Sequence, residues 1–153
     1  MDITLKPAGY VSNNVLERQD DNWSQVTSVI ELASGIPSES LKGLHEFSHV
    51  EIIFYMDRLE GDGFSGFSRI PRNNPDFPEV GIFSQRASRR PNKIGATIVR
   101  LVRVEDNRII VKGLDAIDGT PVVDIKPVMK EFLPSAEETF QPQWASELMK
   151  NYW

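Results

Sequence analysis

Short apolar runs separated by turn-forming residues dominate this sequence, and they predict a chain built mainly from β-strands. The predicted strands are 9–12, 26–32, 50–56, 94–104, 109–114 and 121–125. Glu51 interrupts the otherwise apolar third run. Asp118-Gly119 is the strongest short hairpin signal, because this pair favours the tight turns that join antiparallel strands. The polar residues at the ends of these strands are candidates for a binding site.

Helical signals are few and short. Residues 37–43 predict a brief helix, with Ser38 as a possible cap and Gly43 as its end. After Pro142, apolar side chains recur four residues apart at Trp144, Leu148 and Tyr152, with Met149 and Trp153 beside them, which predicts a C-terminal helix over 143–152. Such a stripe packs on the body of the protein or on a second subunit more often than it stacks on bases.

Two polar stretches predict loops. Residues 13–22 separate the first two strands, and residues 61–78 form a long exposed loop because Gly and Pro recur in them. Within the second loop, Arg69, Arg72, Asn73 and Asn74 are candidates for contact with RNA phosphates or bases. A plain surface loop accounts for the same residues.

Composition limits the possible classes of protein. A length of 153 residues, 40% hydrophobic and 25% charged, fits one globular domain, 1–153, with 134–153 as a helical extension. The absence of cysteine excludes disulfides and thiolate chemistry. The N-terminus lacks the pattern of a secretion signal, and no apolar run approaches a membrane span, so we expect a cytoplasmic protein without membrane contact.

Charge is unevenly distributed along the chain. The net charge of −5 argues against nonspecific coating of nucleic acid. Residues 69–100, however, contain seven basic and two acidic residues, a net charge of +5, which leaves −10 for the rest of the chain. A local basic patch suits contact with a polyanion at one place. Alternatively, these arginines pair with the acidic remainder of the chain.

The segment from His45 to His49 matches the zinc-protease pattern His-Glu-x-x-His. In that chemistry two imidazoles on one helical face bind the metal, and the glutamate activates a water molecule. Here the preceding helix signal ends at Gly43 and a β-rich run follows at once, so the helix is missing. We therefore expect no metal, and we interpret His45 as a structural residue near the start of a strand.

Several separated motifs together carry a family resemblance. In chain order they are Leu41-Lys-Gly-Leu-His-Glu-Phe-Ser-His49, Gly81-Ile-Phe, Arg86, Arg90-Pro-Asn-Lys-Ile-Gly95, Leu114-Asp115 and Asp118-Gly-Thr-Pro-Val-Val-Asp-Ile-Lys-Pro127. They resemble the TsaA-like (TrmO) family of S-adenosylmethionine-dependent tRNA methyltransferases. The resemblance implies a compact, mainly β pseudo-barrel that forms a homodimer and binds S-adenosyl-L-methionine. It also implies methylation of N6 of threonylcarbamoyladenosine next to the tRNA anticodon.

The resemblance also suggests site residues. Those assigned to the methyl donor are Asp57, Arg58, Arg86, Lys112, Gly113, Leu114 and Asp115. Those assigned to substrate binding are Arg89, Arg90 and Lys93, and the candidates for aligning or polarising the substrate are Asn92, Asp124 and Lys126. The guanidinium of Arg86 can bind the carboxylate of the methionine moiety, although a salt bridge to a strand-end aspartate is the alternative. Asp124 and Lys126 could equally pair only with each other across adjacent strands.

At several positions this chain departs from the family pattern. Glu51 stands where the family usually has Trp, Asp57 where it has His, Gln85 where it has Thr or Ser, Arg89 where it has an aromatic residue, and Lys93 where it has Pro. Arg18-Gln19 is the only trace of the family's donor-contacting loop near the N-terminus. These departures favour an alternative function, a divergent binding module that keeps the donor pocket but has another substrate or no catalytic activity.

Overall fold

A computed structural model of the chain describes residues 1–59 and 66–153, and it consists mainly of β-strands. The strands are β1 Gly9–Ser12, β2 Thr27–Leu32, β3 His49–Tyr55, β4 Ser68–Arg69, β5 Val80–Gly81, β6 Ile94–Glu105, β7 Arg108–Lys112 and β8 Pro121–Pro127. One α-helix, α1 Gln143–Leu148, lies near the C-terminus of the described chain. The remaining helical elements are single 3-10 turns.

Six of the strands close into a barrel in the order β1-β2-β7-β6-β3-β8, and β8 returns to pair with β1. Every neighbouring pair is antiparallel. β4 and β5 form a separate two-stranded sheet. The architecture confirms the predicted mainly β barrel with a few short helices and a C-terminal helix.

The alternation of side chains along the strands explains the core. Burial alternates in β1, β2 and β3, so one face of each strand fills the barrel and the other faces outward. Ile30, Ile52 and Ile109 are completely buried in this core. Glu51 lies on the outer face, opposite Ile98 of β6 and Lys126 of β8, and so it interrupts the apolar run without entering the core.

Three connections between strands lie at the same end of the barrel. They are residues 13–26 between β1 and β2, residues 56–93 between β3 and β6, and residues 113–120 between β7 and β8. The opposite end carries residues 33–48 between β2 and β3 and the two-residue turn Asp106-Asn107 between β6 and β7. Most of the irregular chain that connects strands therefore lies at one mouth of the barrel.

The predicted hairpin at Asp118-Gly119 is wrong. This pair forms a turn, but β7 and β8 on either side of it are not neighbours in the barrel, and the tight hairpin is at Asp106-Asn107. The physical reason is a contact with β1: the Asp118 carboxylate accepts the backbone N–H of Asn13 at 3.0 Å. Gly119, at φ +81°, donates its own N–H to the carbonyl of Val11 at 2.7 Å.

The two predicted helices differ from the helices in the structure in length or type. The helix expected over 143–152 ends at Leu148, because the following residues form a turn whose backbone bonds to residues 22 and 23. The helix within 37–43 is a 3-10 turn, Ser38–Leu41, which Ser38 does not cap. Instead, the Ser40 hydroxyl donates to the carbonyl of Pro37 at 2.7 Å.

The loop predicted over 61–78 is partly ordered into secondary structure. Its residues 61–65 lie outside the described part of the chain, whereas Ser68–Arg69 forms β4 against β5. Pro71 begins a 3-10 turn and is buried. In the two ranges that the structure describes, no helix has the length and apolar character needed to cross a membrane.

Candidate functional site

A cavity of about 430 Å³ opens at the mouth of the barrel where the long connections meet. This volume is in the range of pockets that bind small molecules and cofactors. Its walls come from the β1–β2 loop, the β3–β6 connection, the start of β6, the β7–β8 connection and the C-terminal segment. Segments far apart in sequence therefore build one site.

The β1–β2 loop is fixed by Asn13. Its Nδ2 donates to the hydroxyl of Ser28 and to the carbonyl of Ala116, both at 2.9 Å, and its Oδ1 accepts the N–H of Val15 at 2.9 Å. Farther along the loop, Arg18 donates to the hydroxyl of Ser88 at 2.7 Å. The loop is thus tied both to the β7–β8 connection and, across the cavity, to the β3–β6 connection.

The β3–β6 connection is held by internal polar contacts. The buried carboxamide of Gln85 donates to the carbonyls of Arg69 and Val80, each at 3.0 Å. Arg90 donates to the carbonyls of Gln85 and Ala87 at 3.1 and 3.4 Å. These bonds place the sheet of β4 and β5 next to the segment that carries Arg86.

The carboxylate of Asp115 accepts a side-chain hydrogen bond on each of its two oxygens. The hydroxyl of Thr97 on β6 donates to its Oδ1, and the phenol of Tyr152 donates to its Oδ2. Burial, followed by the negative charge of Asp115 and this hydrogen bond, raises the pKa of Tyr152 well above its ordinary range. The phenol therefore remains a hydrogen-bond donor at neutral pH.

Among the residues that the structure describes, six arginines and three aspartates line the cavity. The arginines are Arg18, Arg58, Arg69, Arg72, Arg86 and Arg90, and the aspartates are Asp20, Asp57 and Asp115. With all nine ionised, the walls carry a net charge of +3, although the whole chain is acidic. Such a surface attracts anionic ligands.

Several of these arginines are engaged by the protein itself. Arg72 forms an ion pair with Asp21 at 2.8 Å, and that hydrogen bond raises the pKa of Arg72. Arg86 donates to the carbonyl of Ala96. Arg69 is different, because its Nε is buried and has no hydrogen-bond partner among the described residues. A buried guanidinium nitrogen without a partner is costly, so an anionic ligand that hydrogen-bonded to this atom would remove that cost.

The cavity brings together part of the predicted donor set. Asp57, Arg58, Arg86 and Asp115 all line it, and the guanidinium of Arg58 packs against Gly119. Leu114 is completely buried in the barrel core, Gly113 precedes it at φ +91°, and Lys112 is exposed at the end of β7. These last three lie next to Asp115 in sequence but not in the cavity wall.

The predicted substrate and catalytic residues lie at different places. Arg90 lines the cavity, whereas Asn92 is exposed and Arg89 and Lys93 are partly buried in the same turn. Asp124 and Lys126 form an ion pair at 2.7 Å on β8, away from the cavity wall. The pair lies along one strand, not across adjacent strands, and the hydrogen bond to Asp124, followed by its negative charge, raises the pKa of Lys126.

Two contributors to the cavity escaped the sequence interpretation. Thr97 lies within a predicted strand and belongs to no candidate motif, and Tyr152 belongs to the apolar stripe that predicts a packing surface. Arg18, Arg69 and Arg72 were noticed as possible contacts with the donor or with RNA, and the fold gathers all three at one cavity. The local excess of basic residues over 69–100 indicates Arg69 and Arg72, and the family's N-terminal loop indicates Arg18, but neither signal places the three side chains together.

The His-Glu-x-x-His match does not form a helical metal site. His45 lies on a 3-10 turn and His49 begins β3, where its Nδ1 is 2.8 Å from the hydroxyl of Ser48. Within residues 1–59 and 66–153, no group of three His, Asp or Glu side chains is arranged to hold a metal ion.

The sequence is similar to a known family and to several characterised proteins. The family model described as the tRNA-methyltransferase O N-terminal domain matches residues 8–132. A tRNA (adenine(37)-N6)-methyltransferase of Mus musculus is 42% identical over 138 residues, which are 85% of this chain and 32% of the relative. An S-adenosyl-L-methionine-binding protein of Archaeoglobus fulgidus is 34% identical over 136 residues, which are 84% of this chain and 91% of the relative.

Solved structures agree with the sequence matches. The crystal structure of TrmO from Pseudomonas aeruginosa superposes with a TM-score of 0.70 at 30% identity, covering 91% of this chain and 62% of that one. The chain spans only about a third of the length of the mammalian relatives: the match covers 32% of the mouse protein. Since the family match extends from the first barrel strand to beyond the last, the chain belongs to the tRNA-methyltransferase O N-terminal domain family.

Proposed function

We propose that this protein is an S-adenosylmethionine-dependent methyltransferase that acts on N6 of an adenosine in tRNA. The observation that carries the proposal is the arginine-lined cavity at the mouth of the barrel, which gathers Asp57, Arg58, Arg86 and Asp115 at one site. Its volume of about 430 Å³ suits one donor molecule together with the end of a substrate. The names of the relatives, a tRNA methyltransferase and an S-adenosyl-L-methionine-binding protein, support the same function.

The charges of the cavity fit the donor. Its amino-acid moiety carries a carboxylate, and guanidinium groups bind carboxylates through paired hydrogen bonds. Arg86 is assigned this role, with the unpartnered Nε of Arg69 nearby as a second donor. Asp115, which accepts bonds from Thr97 and Tyr152, faces the same cavity and is assigned to the ribose or adenine of the donor. Asp57 and Arg58 complete this set, with Lys112 at the end of β7 and Gly113 and Leu114 after it supporting Asp115.

Methyl transfer requires mainly alignment. The donor supplies a methyl group that is already activated on a sulfonium, and the attacking nitrogen replaces the sulfur while its own proton is lost to a base or to water. The protein has to hold the nitrogen in line with the methyl carbon and exclude water. Asn92, Asp124 and Lys126 lie outside the cavity wall, and Asp124 and Lys126 point outward from β8. We therefore propose that these three residues contact the tRNA around the site and do not touch the reacting atoms.

A tRNA substrate suits the distribution of charge. The arginines and aspartates of the wall within residues 1–59 and 66–153 carry a net charge of +3, and Arg89, Arg90 and Lys93 extend the basic surface along the β3–β6 connection. Phosphates are attracted to such a surface even when the whole protein is acidic. We propose threonylcarbamoyladenosine next to the anticodon as the modified base, since its carboxylate would add a second anion for an arginine-lined site.

The proposal includes a homodimer in the cytoplasm. Ile98 and Val102 expose apolar side chains on the outer face of β6, which gives a second copy an apolar surface to cover. Sedimentation equilibrium at several protein concentrations tests the dimer, and monomeric behaviour at all of them would contradict it.

Calorimetric titration with S-adenosylmethionine tests the proposed function. We expect the wild-type protein to bind with micromolar affinity and Arg86→Ala to bind at least tenfold more weakly. A tenfold loss corresponds to about 1.4 kcal/mol, the contribution of one charge-assisted hydrogen bond. Arg100→Ala is the matched control, because Arg100 lies on the outside of β6 and does not line the cavity.

Methyl transfer from labelled donor to tRNA, with and without the threonylcarbamoyl group, then identifies the substrate. We expect incorporation only into the tRNA that carries the group. Donor binding without transfer to either tRNA would instead support the divergent binding module. A folded protein that binds no donor, with or without tRNA, would contradict both functions.

A further inference from the structure

The last residues of the chain complete the cavity from outside the matched family region, which ends at residue 132. Leu148, Met149 and Tyr152 line the cavity opposite the barrel. Two backbone bonds attach this segment to the β1–β2 loop, because the N–H groups of Asn22 and Trp23 donate to the carbonyls of Asn151 and Tyr152, both at 2.9 Å. The predicted packing helix thus ends in a turn that forms part of the site.

The phenol of Tyr152 makes a hydrogen bond in addition to the backbone bonds that attach the C-terminal segment to the β1–β2 loop. Backbone bonds already hold the segment to the loop, and the ring packs edge-on against Trp153 with the centroids 4.9 Å apart. The hydroxyl nevertheless donates to Oδ2 of Asp115. Replacing Tyr152 with Phe would keep the backbone bonds and the ring and remove only this contact.

Two hydroxyl donors fix the Asp115 carboxylate, one for each oxygen. Thr97 donates to Oδ1 from β6, and Tyr152 donates to Oδ2 from the C-terminal segment. An ionised carboxylate can accept about four hydrogen bonds, so about half of its capacity remains available. With both oxygens held, the remaining lone pairs have a defined direction before any ligand arrives.

We propose that Tyr152 is a positioning residue of the donor site: it orients the Asp115 carboxylate so that its remaining lone pairs bind hydroxyl or amino groups of the donor's nucleoside. The inference rests on the proposed function, because it needs a nucleoside in the cavity. It adds a residue beyond the matched family region to the binding machinery. A protein truncated after residue 132 would lack this part of the site.

A double-mutant cycle on donor affinity tests the inference. The variants are Tyr152→Phe, Asp115→Asn and the two together, each titrated with S-adenosylmethionine by calorimetry. We expect Tyr152→Phe to weaken binding about tenfold, as for the loss of one charge-assisted bond. In the double variant, the phenylalanine should add little to the loss caused by Asp115→Asn, because the two residues act through one carboxylate.

Two controls separate positioning from folding. Tyr10→Phe is the matched control, since Tyr10 lies on the outer face of β1 and does not line the cavity. Hydrogen exchange at the amides of Asn22 and Trp23 reports whether the C-terminal segment stays attached. We expect unchanged protection in Tyr152→Phe, so that the loss of affinity comes from Asp115 and not from detachment.

The possible outcomes are distinct. Wild-type binding with full affinity in Tyr152→Phe would overturn the inference and leave the proposed function standing. Additive losses of donor affinity in the cycle would also overturn it, because Tyr152 would then not act through Asp115. Detachment of the C-terminal segment in Tyr152→Phe would overturn it as well, because Tyr152 would then only hold that segment in the cavity wall. Failure of the wild-type protein to bind the donor would overturn the proposed function itself, and the inference with it.

Discussion

The ring of Phe54 on β3 lies directly over the Cα of Gly95 on β6, and the two residues are direct partners in the barrel register. A Cβ at position 95 would be 2.8 Å from Cε1 of the ring and closer still to Cε2 and Cζ. Phe54 is buried and also lines the cavity. The glycine therefore makes room for an aromatic ring that belongs both to the core and to the site.

Gly95→Ala should lower the free energy of unfolding by about 1–3 kcal/mol, the usual cost of overpacking a core. The displaced ring should move into the cavity, so donor binding should weaken as well. Chemical denaturation measures the first effect and calorimetric titration the second. Gly81→Ala is the control, because a Cβ there meets only the carbonyl of Phe67, at 3.8 Å, and it should leave both properties nearly unchanged.

Asn13→Ala should destabilise the protein and loosen the β1–β2 loop. The substitution removes the bonds from Nδ2 to Ala116 and to the fully buried hydroxyl of Ser28. Leaving such buried groups without partners costs about 1–3 kcal/mol. Denaturation should show this loss, and the amide of Asn22 should exchange faster with solvent.

Asn74→Ala is the matched control for Asn13→Ala. Asn74 makes the same local bond, from its Oδ1 to the N–H two residues later at 3.0 Å, but it has no long-range bond like those of Asn13 in the described structure. We expect a change of at most about 0.5 kcal/mol for this surface substitution. Equal destabilisation by both variants would show that the contacts of Asn13 with Ser28 and Ala116 contribute little.

The strands could be predicted from the sequence because burial alternates along them. The runs 9–12, 50–56 and 94–104 coincide, within a residue, with β1, β3 and β6. Alternation defines which face of a strand is buried, but it does not say which strand is its neighbour. For this reason Asp118-Gly119 suggested a hairpin, whereas barrel closure brings this turn against β1.

The site was predictable only where a motif identified it. Arg86 and Asp115 lie in family motifs, and both line the cavity. Arg69 and Tyr152 reach the same cavity through the small sheet and through the C-terminal turn, and both of these contacts are long-range. Neither local propensity nor periodicity reports such contacts, so the apolar stripe containing Tyr152 indicates packing, or less often base stacking, and not a contact with Asp115.

Arg69→Met should separate stability from binding. The Nε of Arg69 is buried without a partner among the described residues, so its removal should leave the stability of the ligand-free protein unchanged or raise it by about 1 kcal/mol. Binding of S-adenosylhomocysteine, which carries a carboxylate, should weaken. Binding of methylthioadenosine, which lacks the amino-acid moiety, should stay the same.

Arg100→Met controls for the loss of a positive charge outside the cavity, and it should bind both ligands normally. Denaturation and calorimetry on the same preparations measure the two effects. A clear loss of stability in Arg69→Met would show that the guanidinium serves the fold. Equal weakening for both ligands would show that Arg69 does not contact the carboxylate.

Tyr152 should make the stability of the protein depend on pH in the alkaline range. Its pKa is raised in the folded state, by burial first and then by the charge of Asp115, relative to about 10 for a free phenol. Above pH 10 the unfolded chain loses this proton while the folded chain keeps it, so the stability due to Tyr152 is complete below pH 10 and falls as the pH rises. The limit for one proton is about 1.4 kcal/mol per pH unit, and solvent screening of the half-buried ring reduces it. Denaturation of the wild type and of Tyr152→Phe between pH 8 and about 11 should therefore show a steeper decline for the wild type, and parallel curves would contradict the buried, hydrogen-bonded phenol.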